Sequence, residues 1–357
     1  MISRRDLPRI GIAFLFLLSV FFLFNEPELV RDAIKKSLTL CTGPLLTSLF
    51  PFLILSNLLL VCNTHQYLGR FFCLPAKLVG ICNPSAGSPL LMGYTGGFAP
   101  AAVTLRNLYI SRALSAQECT ALLPLCLCPG PAFVVVTVGG FFHNRQLGLI
   151  LYFSQVFACL GCGLLYRFFH HTERTDSVAS ASAVPNATAP SFPDAISNAT
   201  TAYVKLCGCI LFFGFLSACL SHYLPQPFCN LVSFCMEISS GCLYAAQIAP
   251  NGIYLCCCII SLLGLSAWIQ LRALLPKEIS LKPFFLLRPL HMVFSMLFTR
   301  FMLRHLPVTD VYNSLAPDIL LRNRVSPLYG ILLFFLLCRL AALLSKLPDW
   351  RQSHSKI

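Results

Sequence analysis

Runs of apolar residues close to the length that crosses a bilayer recur along this chain, and that recurrence limits the folds open to it. Gly11 to Phe24, Leu147 to Phe169, Leu206 to Leu224 and Leu328 to Leu344 each approach the roughly 17–25 residues that span the hydrocarbon as helix. Of the 357 residues, 57% are hydrophobic and 11% charged, and the mean hydropathy is +0.74, too apolar for one soluble core. The expectation is an all-α polytopic membrane protein. The first run follows Arg4, Arg5 and Arg9, as a signal peptide would. Asn25, Glu26 and Pro27 come after it where a small-residue cleavage site would stand, so it reads as a retained span.

Charge and cysteine content exclude other classes once positions are read. A net charge of +13 would suggest a nucleic-acid partner in a soluble protein. Here the basic residues are scattered between apolar runs, as cytoplasmic loops and contacts with anionic lipid require, so the expected surroundings are a lipid bilayer and no nucleic acid. Most of the 19 cysteines lie inside apolar runs, where Cys behaves as a small hydrophobe. Cys159 and Cys162 form a CxxC without a second pair or a His pair at ligand spacing, so neither metal nor cofactor is expected. No catalytic set is recognisable, and an enzyme is not expected.

One stretch breaks the pattern. NPSAGSPLLMGYTGGFAPAA, Asn83 to Ala102, carries four Gly and three Pro between membrane-like segments. Ala249-Pro250-Asn251-Gly252 interrupts a later run, and LLGLSAWIQLRAL from Leu262 parallels TGGFAPAAVTLRNL from Thr95, with early Gly, small residues and an Arg further on. The reading is of two pseudo-repeated halves, each with a re-entrant helical hairpin. Residues 1–36 hold the first span and a loop, and 37–169 the first half with its re-entrant segment at 83–102. A polar Ser/Ala/Thr/Asn/Pro linker covers 170–202, the second half runs over 203–304 with a re-entrant segment at 249–271, and 305–357 hold a loop, a last span and a basic tail. With both hairpins returning to the side they left, Arg70, Lys77, Arg106, Arg112, Arg272, Lys277, Lys282 and the basic tail share the face of the N-terminal arginines, placing both termini in the cytoplasm.

Interrupted backbone at membrane depth exposes N–H and C=O groups and survives only inside protein or beside a wet cavity. Asn83-Pro84-Ser85 resembles a helix start, and Thr95-Gly96-Gly97 supplies the freedom for a hairpin tip. Helix N-termini at such a tip attract anions. The plainer alternative is that small residues merely allow close packing. Candidate lining residues are Ser85, Ser88, Thr95, Gly96, Gly97, Pro100, Ser239, Ser240, Ser266 and Gln270, with Arg106 or Arg272 to attract an anion. Glu237, acidic within an apolar run, is the candidate for ion coupling, or else a structural hydrogen-bonding partner of Ser239 or Ser240. His143 and His291 read as polar edge residues.

GYTGGFAPAAVTLRNLYISRALSAQECTALL and GPAFVVVTVGGFFHNRQLGLILYF, with MEISSG at Met236, GLSAWIQ at Gly264 and RPLH at Arg288, resemble the sporulation integral membrane protein family YlbJ, also called SpoVV. The resemblance runs from about Phe52 to Arg304. It implies a nucleoside-recognition Gate domain, related to parts of concentrative nucleoside transporters, and movement of dipicolinate across the outer forespore membrane, or location in a bacterial plasma membrane. Differences from the family pattern are Ala99 before Pro100, Cys126 to Pro129 ahead of GPAF, and Trp268 where His is usual. A different organic anion, a nucleoside or another small metabolite, or a non-transporting scaffold in spore-envelope assembly, stay open alternatives, as does a homo-oligomer.

Overall fold

The computed structural model describes residues 7–62, 64–169, 191–247 and 252–306. These form helices, with no strand among them. Among the described residues, four helical segments are long and apolar enough to cross a membrane: Arg145–Phe169, Phe192–Tyr223, Gly252–Leu274 and Lys282–His305. The chain is an all-α polytopic membrane protein, as its apolar runs required. The run from Leu328 to Leu344 and the basic tail lie outside the described residues.

Helix α1 (Leu7–Asn25) leads directly into α2 (Pro27–Leu40), where Pro27 occupies a first-turn position that needs no N–H donor. A π-turn, Cys41–Leu45, carries α2 into α3 (Leu46–Val61). Pro44 sits in that turn, where its missing N–H favours a widened helix over a regular one. Helix α4 (His65–Ala76) closes through a 3-10 turn at Gly80. After Asn83 and a further 3-10 turn come α5 (Gly87–Gly96) and α6 (Phe98–Ile110). Asn83 Nδ2 donates to the Ala113 carbonyl at 2.8 Å, so this segment comes back to the end it left.

The Ser115–Glu118 capping box opens α7 (Ala116–Cys126). An extended stretch to Pro131, a π-turn (Ala132–Val138) and a short α8 (Gly139–Phe141) follow, then α9 (Arg145–Phe169). Helix α10 (Phe192–Tyr223) starts inside the stretch read as a solvated linker. A capping box between Ser191 and Asp194 starts it, and Ala195, Ala199 and Ala202, spaced four and three apart, bury one face. Small residues had made this helix look like loop. The chain then forms α11 (Gln226–Met236), α12 (Ile238–Ala246), α13 (Gly252–Leu262), α14 (Leu265–Leu274) and α15 (Lys282–His305).

Three hydrogen bonds mark one end of the bundle: Asn83 to Ala113, Arg167 Nη1 to the Lys77 carbonyl at 3.2 Å, and Ser280 N–H to Thr120 Oγ1 at 3.1 Å. Phe142, packed beside Gly252, marks the other, about 37 Å away along the 25 residues of α9. The second expected re-entrant segment, 249–271, falls between these two ends. Ala249, Pro250 and Asn251 lie outside the described residues, but from Gly252 onward the chain leaves the Phe142 end and reaches Ser280 at the opposite one. The 23 residues of Gly252–Leu274 are long and apolar enough to span, and the interruption comes midway, at Leu263–Gly264.

Candidate functional site: paired helix interruptions

The first interruption is built on Gly97, with φ 103° and ψ −174°, a region essentially closed to side chains. It meets a second gap in the chain, the extended stretch between α7 and the π-turn. A Cβ on Gly97 would lie 2.8 Å from the Gly130 nitrogen and 3.1 Å from its Cα. The two gaps touch backbone to backbone. Helix ends at this depth leave carbonyls without intrahelical partners, and tyrosine hydroxyls supply the donors. Tyr152 Oη donates to the Tyr94 carbonyl of α5. Tyr94 Oη in turn donates to the Leu125 carbonyl of α7 at 2.9 Å.

A second pair of interruptions has a different chemistry. Glu237, only 7% exposed, is extended and caps α12. Its Oε2 accepts from the Ser240 N–H at 2.8 Å and from Ser240 Oγ at 3.1 Å. Opposite it, α13 is followed by Leu263, whose φ of 60° costs a branched L-residue on the order of 1–2 kcal/mol. Strain of that kind persists where the surroundings over-determine it. A Cβ on Gly264 would lie 3.0 Å from the Met236 carbonyl and 3.1 Å from the Glu237 nitrogen, so this pair also meets through backbone. Trp268 Nε1 donates to the Leu262 carbonyl at 3.2 Å, and Gln270 Nε2 to Ser266 Oγ at 2.9 Å.

The residues singled out from sequence divide between these places. Gly96, Gly97 and Pro100 form the first tip, and the half-buried Thr95 returns its hydroxyl to the Leu91 carbonyl at 2.7 Å. Ser85 and Ser88, both buried, sit ~13–18 Å down the hairpin from that tip, near its base. Glu237, Ser239 and Ser240 cluster at the second pair, as do Ser266 and Gln270. Arg106 is exposed, apart from either gap. Arg272 is exposed too and donates to the Pro276 and Ile279 carbonyls at 3.4 and 3.5 Å, fastening the chain after α14. His291, expected at an edge, is 1% exposed because the polar face of α15 is turned inward. Cys159 Sγ lies 3.4 Å from His291 Nε2, whereas Cys162 Sγ reaches the Leu287 carbonyl, so the CxxC residues serve different partners on α15.

A cavity of about 430 Å³ opens at the Phe142 end between α2, α8 and α12, lined by Asp32, Lys35, Lys36, Phe141, Ser239 and Ser240. Another, of about 330 Å³, lies at the opposite end among Asn83, Tyr109, Arg112, Ser115 and Glu118. Sequence reasoning did not single out Lys35, Lys36, Tyr94, Tyr152 or Gly130 for the site. Gly130, between Pro129 and Pro131 in an apolar run, was the one legible signal among them.

The chain is similar to the sporulation integral membrane protein YlbJ of Bacillus subtilis (strain 168). The two are 28% identical over 168 residues, 44% of this chain, and the chain spans 40% of that relative's length. That match bears out the resemblance carried by the glycine-rich motifs. No family model matches the chain, and no solved structure does.

Proposed function

We propose that this chain is a membrane transporter of a small organic anion in sporulation, with dipicolinate the first substrate to test. The observation that carries the reading is the meeting of helix interruptions in pairs, buried between one cavity at each end of the bundle. Interrupted helices at membrane depth are the usual lining of a substrate path. Lys35 and Lys36 on the rim of the larger cavity favour an anion, and that cavity reaches Ser239 and Ser240 beside Glu237. Glu237 is the coupling group of this proposal. Protonation would turn an acceptor of two hydrogen bonds from Ser240 into a weaker one and loosen the start of α12. The test is uptake: the purified chain in liposomes accumulates labelled dipicolinate, with uridine as the competitor for a Gate-type nucleoside route. Glu237→Gln abolishes the pH-driven component. Absence of flux under every imposed gradient removes the proposal.

One observation favours a second reading, a non-transporting scaffold in spore-envelope assembly: both pairs of gaps are packed shut, backbone against backbone. Cysteine placed at Ser85 or Ser266, in a background without other cysteines, separates the two. Labelling that substrate blocks belongs to a transporter, and inert positions under all conditions belong to a scaffold.

A further inference from the structure

Helix α15 carries a stripe of buried polar side chains. Arg288, His291, Ser295 and Thr299 recur at intervals of three and four residues, so they share a face, and none is more than 3% exposed. The stripe lies against α9 and α13, and its inner rungs are satisfied. Thr299 Oγ1 is 3.4 Å from Cys257 Sγ, and Ser295 Oγ is 2.6 Å from Ser261 Oγ, which also bonds Gln155. The Arg288 end is not satisfied. Nη2 of Arg288 donates to the Ile260 carbonyl at 3.2 Å, but Nε and Nη1 have no partner, nor has Nδ1 of His291. Among the described residues no carboxylate pairs with this guanidinium.

The position of Arg288 ties it to the second pair of interruptions. In an unbroken helix the Ile260 carbonyl would bond the nitrogen of residue 264; because α13 stops at Leu262, Arg288 is the donor it receives. The guanidinium lies 5.0 Å above the Phe284 ring, and that ring is 5.2 Å from Trp268, which donates to the Leu262 carbonyl of the same break. A guanidinium stays charged at any working pH. Buried charges are paired or act on a ligand, and an ionisable group inside a membrane domain marks a functional site by default. From this geometry we infer that Arg288 and His291 form an anion site at the α13–α14 break. The unpartnered N–H groups of Arg288 receive one carboxylate of a small aromatic acid, and His291 supplies a further donor; Phe284 and Trp268, in ring contact with each other, form a single aromatic wall beside it.

This deepens the anion-transport proposal and rests on it for the ligand class, but its test is a binding measurement that needs no flux. The full chain in detergent is unfolded by heat with increasing benzoate or pyridine-2,6-dicarboxylate, beside neutral benzamide and chloride. The carboxylates raise the unfolding midpoint saturably, and benzamide and chloride do not. Arg288→Lys, which keeps a charge in the core, weakens carboxylate binding at least tenfold, and His291→Gln several-fold. Equal shifts with chloride, or none with either carboxylate, overturn the site on the natural chain alone, whatever the variants do. So does an anionic lipid that co-purifies with the protein and is not displaced by carboxylate. Amide replacement of Asp6, Glu173, Asp176, Asp310, Asp318 and Asp349, the acids outside the described residues, leaves binding unchanged; tighter binding there assigns the counter-charge to the chain itself and overturns the site. Carboxylate binding without uptake removes transport and keeps the site. Uptake with an unchanged KM in Arg288→Lys does the reverse.

Discussion

Replacing Gly97 by Ala tests whether the first pair of gaps is held together as the geometry requires. Two penalties follow from one added carbon. The backbone at φ 103° and ψ −174° belongs to a region essentially reserved for glycine, costing about 1–3 kcal/mol with a side chain. The new Cβ would also stand 2.8 Å from the Gly130 nitrogen. That neighbour is backbone, not the free end of a side chain, so overpacking adds about 1–3 kcal/mol. Against a total stability on the order of 5–15 kcal/mol the combined loss is large. At about 2 °C per kcal/mol for a chain of this size, the unfolding midpoint falls by roughly 4–12 °C. The protein supplies its own reporters, because Cys119, Cys126, Cys128, Cys159 and Cys257 are at most 1% exposed and stay silent to a thiol-reactive dye until the bundle opens. Gly140→Ala is the control, since a Cβ there meets nothing within 4 Å. Equal midpoints for Gly97→Ala and Gly140→Ala would refute the contact and the strained backbone together.

Other expectations follow from single hydrogen bonds. Glu237→Ala, which removes the α12 cap, lowers stability by about 1–2 kcal/mol, whereas Glu237→Gln keeps an acceptor for the Ser240 N–H and loses less; chemical unfolding in detergent compares them. Tyr152→Phe leaves the buried Tyr94 carbonyl without that donor and costs about 1–3 kcal/mol, read by the same dye assay. Asn83→Ala removes both the bond to Ala113 and the cap on Ser85, and amide exchange at Ser85, Ala86 and Ala113 accelerates while α9 keeps its protection.

What the sequence made legible was local. The spans from Leu147 and Leu206 stand out because hydropathy sums over neighbours, and both lie within long helices. Gly96-Gly97 announced a gap because glycine is the residue that permits one. Glu237 beside Ser239 and Ser240 suggested a hydrogen bond, and Ser240 provides it. Other features depend on distant partners. Arg288, Ser295 and Thr299 sit in a helix with apolar residues on every side, and their stripe has meaning only against Gln155 of α9 and Ser261 of α13. Nothing in the composition around Leu263 marks a left-handed residue; the packing of Gly264 on Met236 and Glu237 imposes it. The start of α10 was hidden because alanine and serine serve loops and close-packed helices alike.

The two pairs of interruptions divide the work of a membrane site between them. At the first, hydroxyls of Tyr94 and Tyr152 satisfy freed carbonyls, and the contact is glycine on glycine. Nothing there changes charge, so that pair can hold helices together or let them part without sorting solutes by charge. At the second, a carboxylate caps one broken helix and a guanidinium reaches the carbonyl freed by the other. An uncharged donor could have served either purpose, as the tyrosines demonstrate a few helices away. Ions in a low-dielectric interior cost far more than hydroxyls unless a counter-charge arrives. On the anion-transport proposal, Glu237 and Arg288 therefore make the second pair the place where solute charge is recognised, and the geometry of the first needs only to hold.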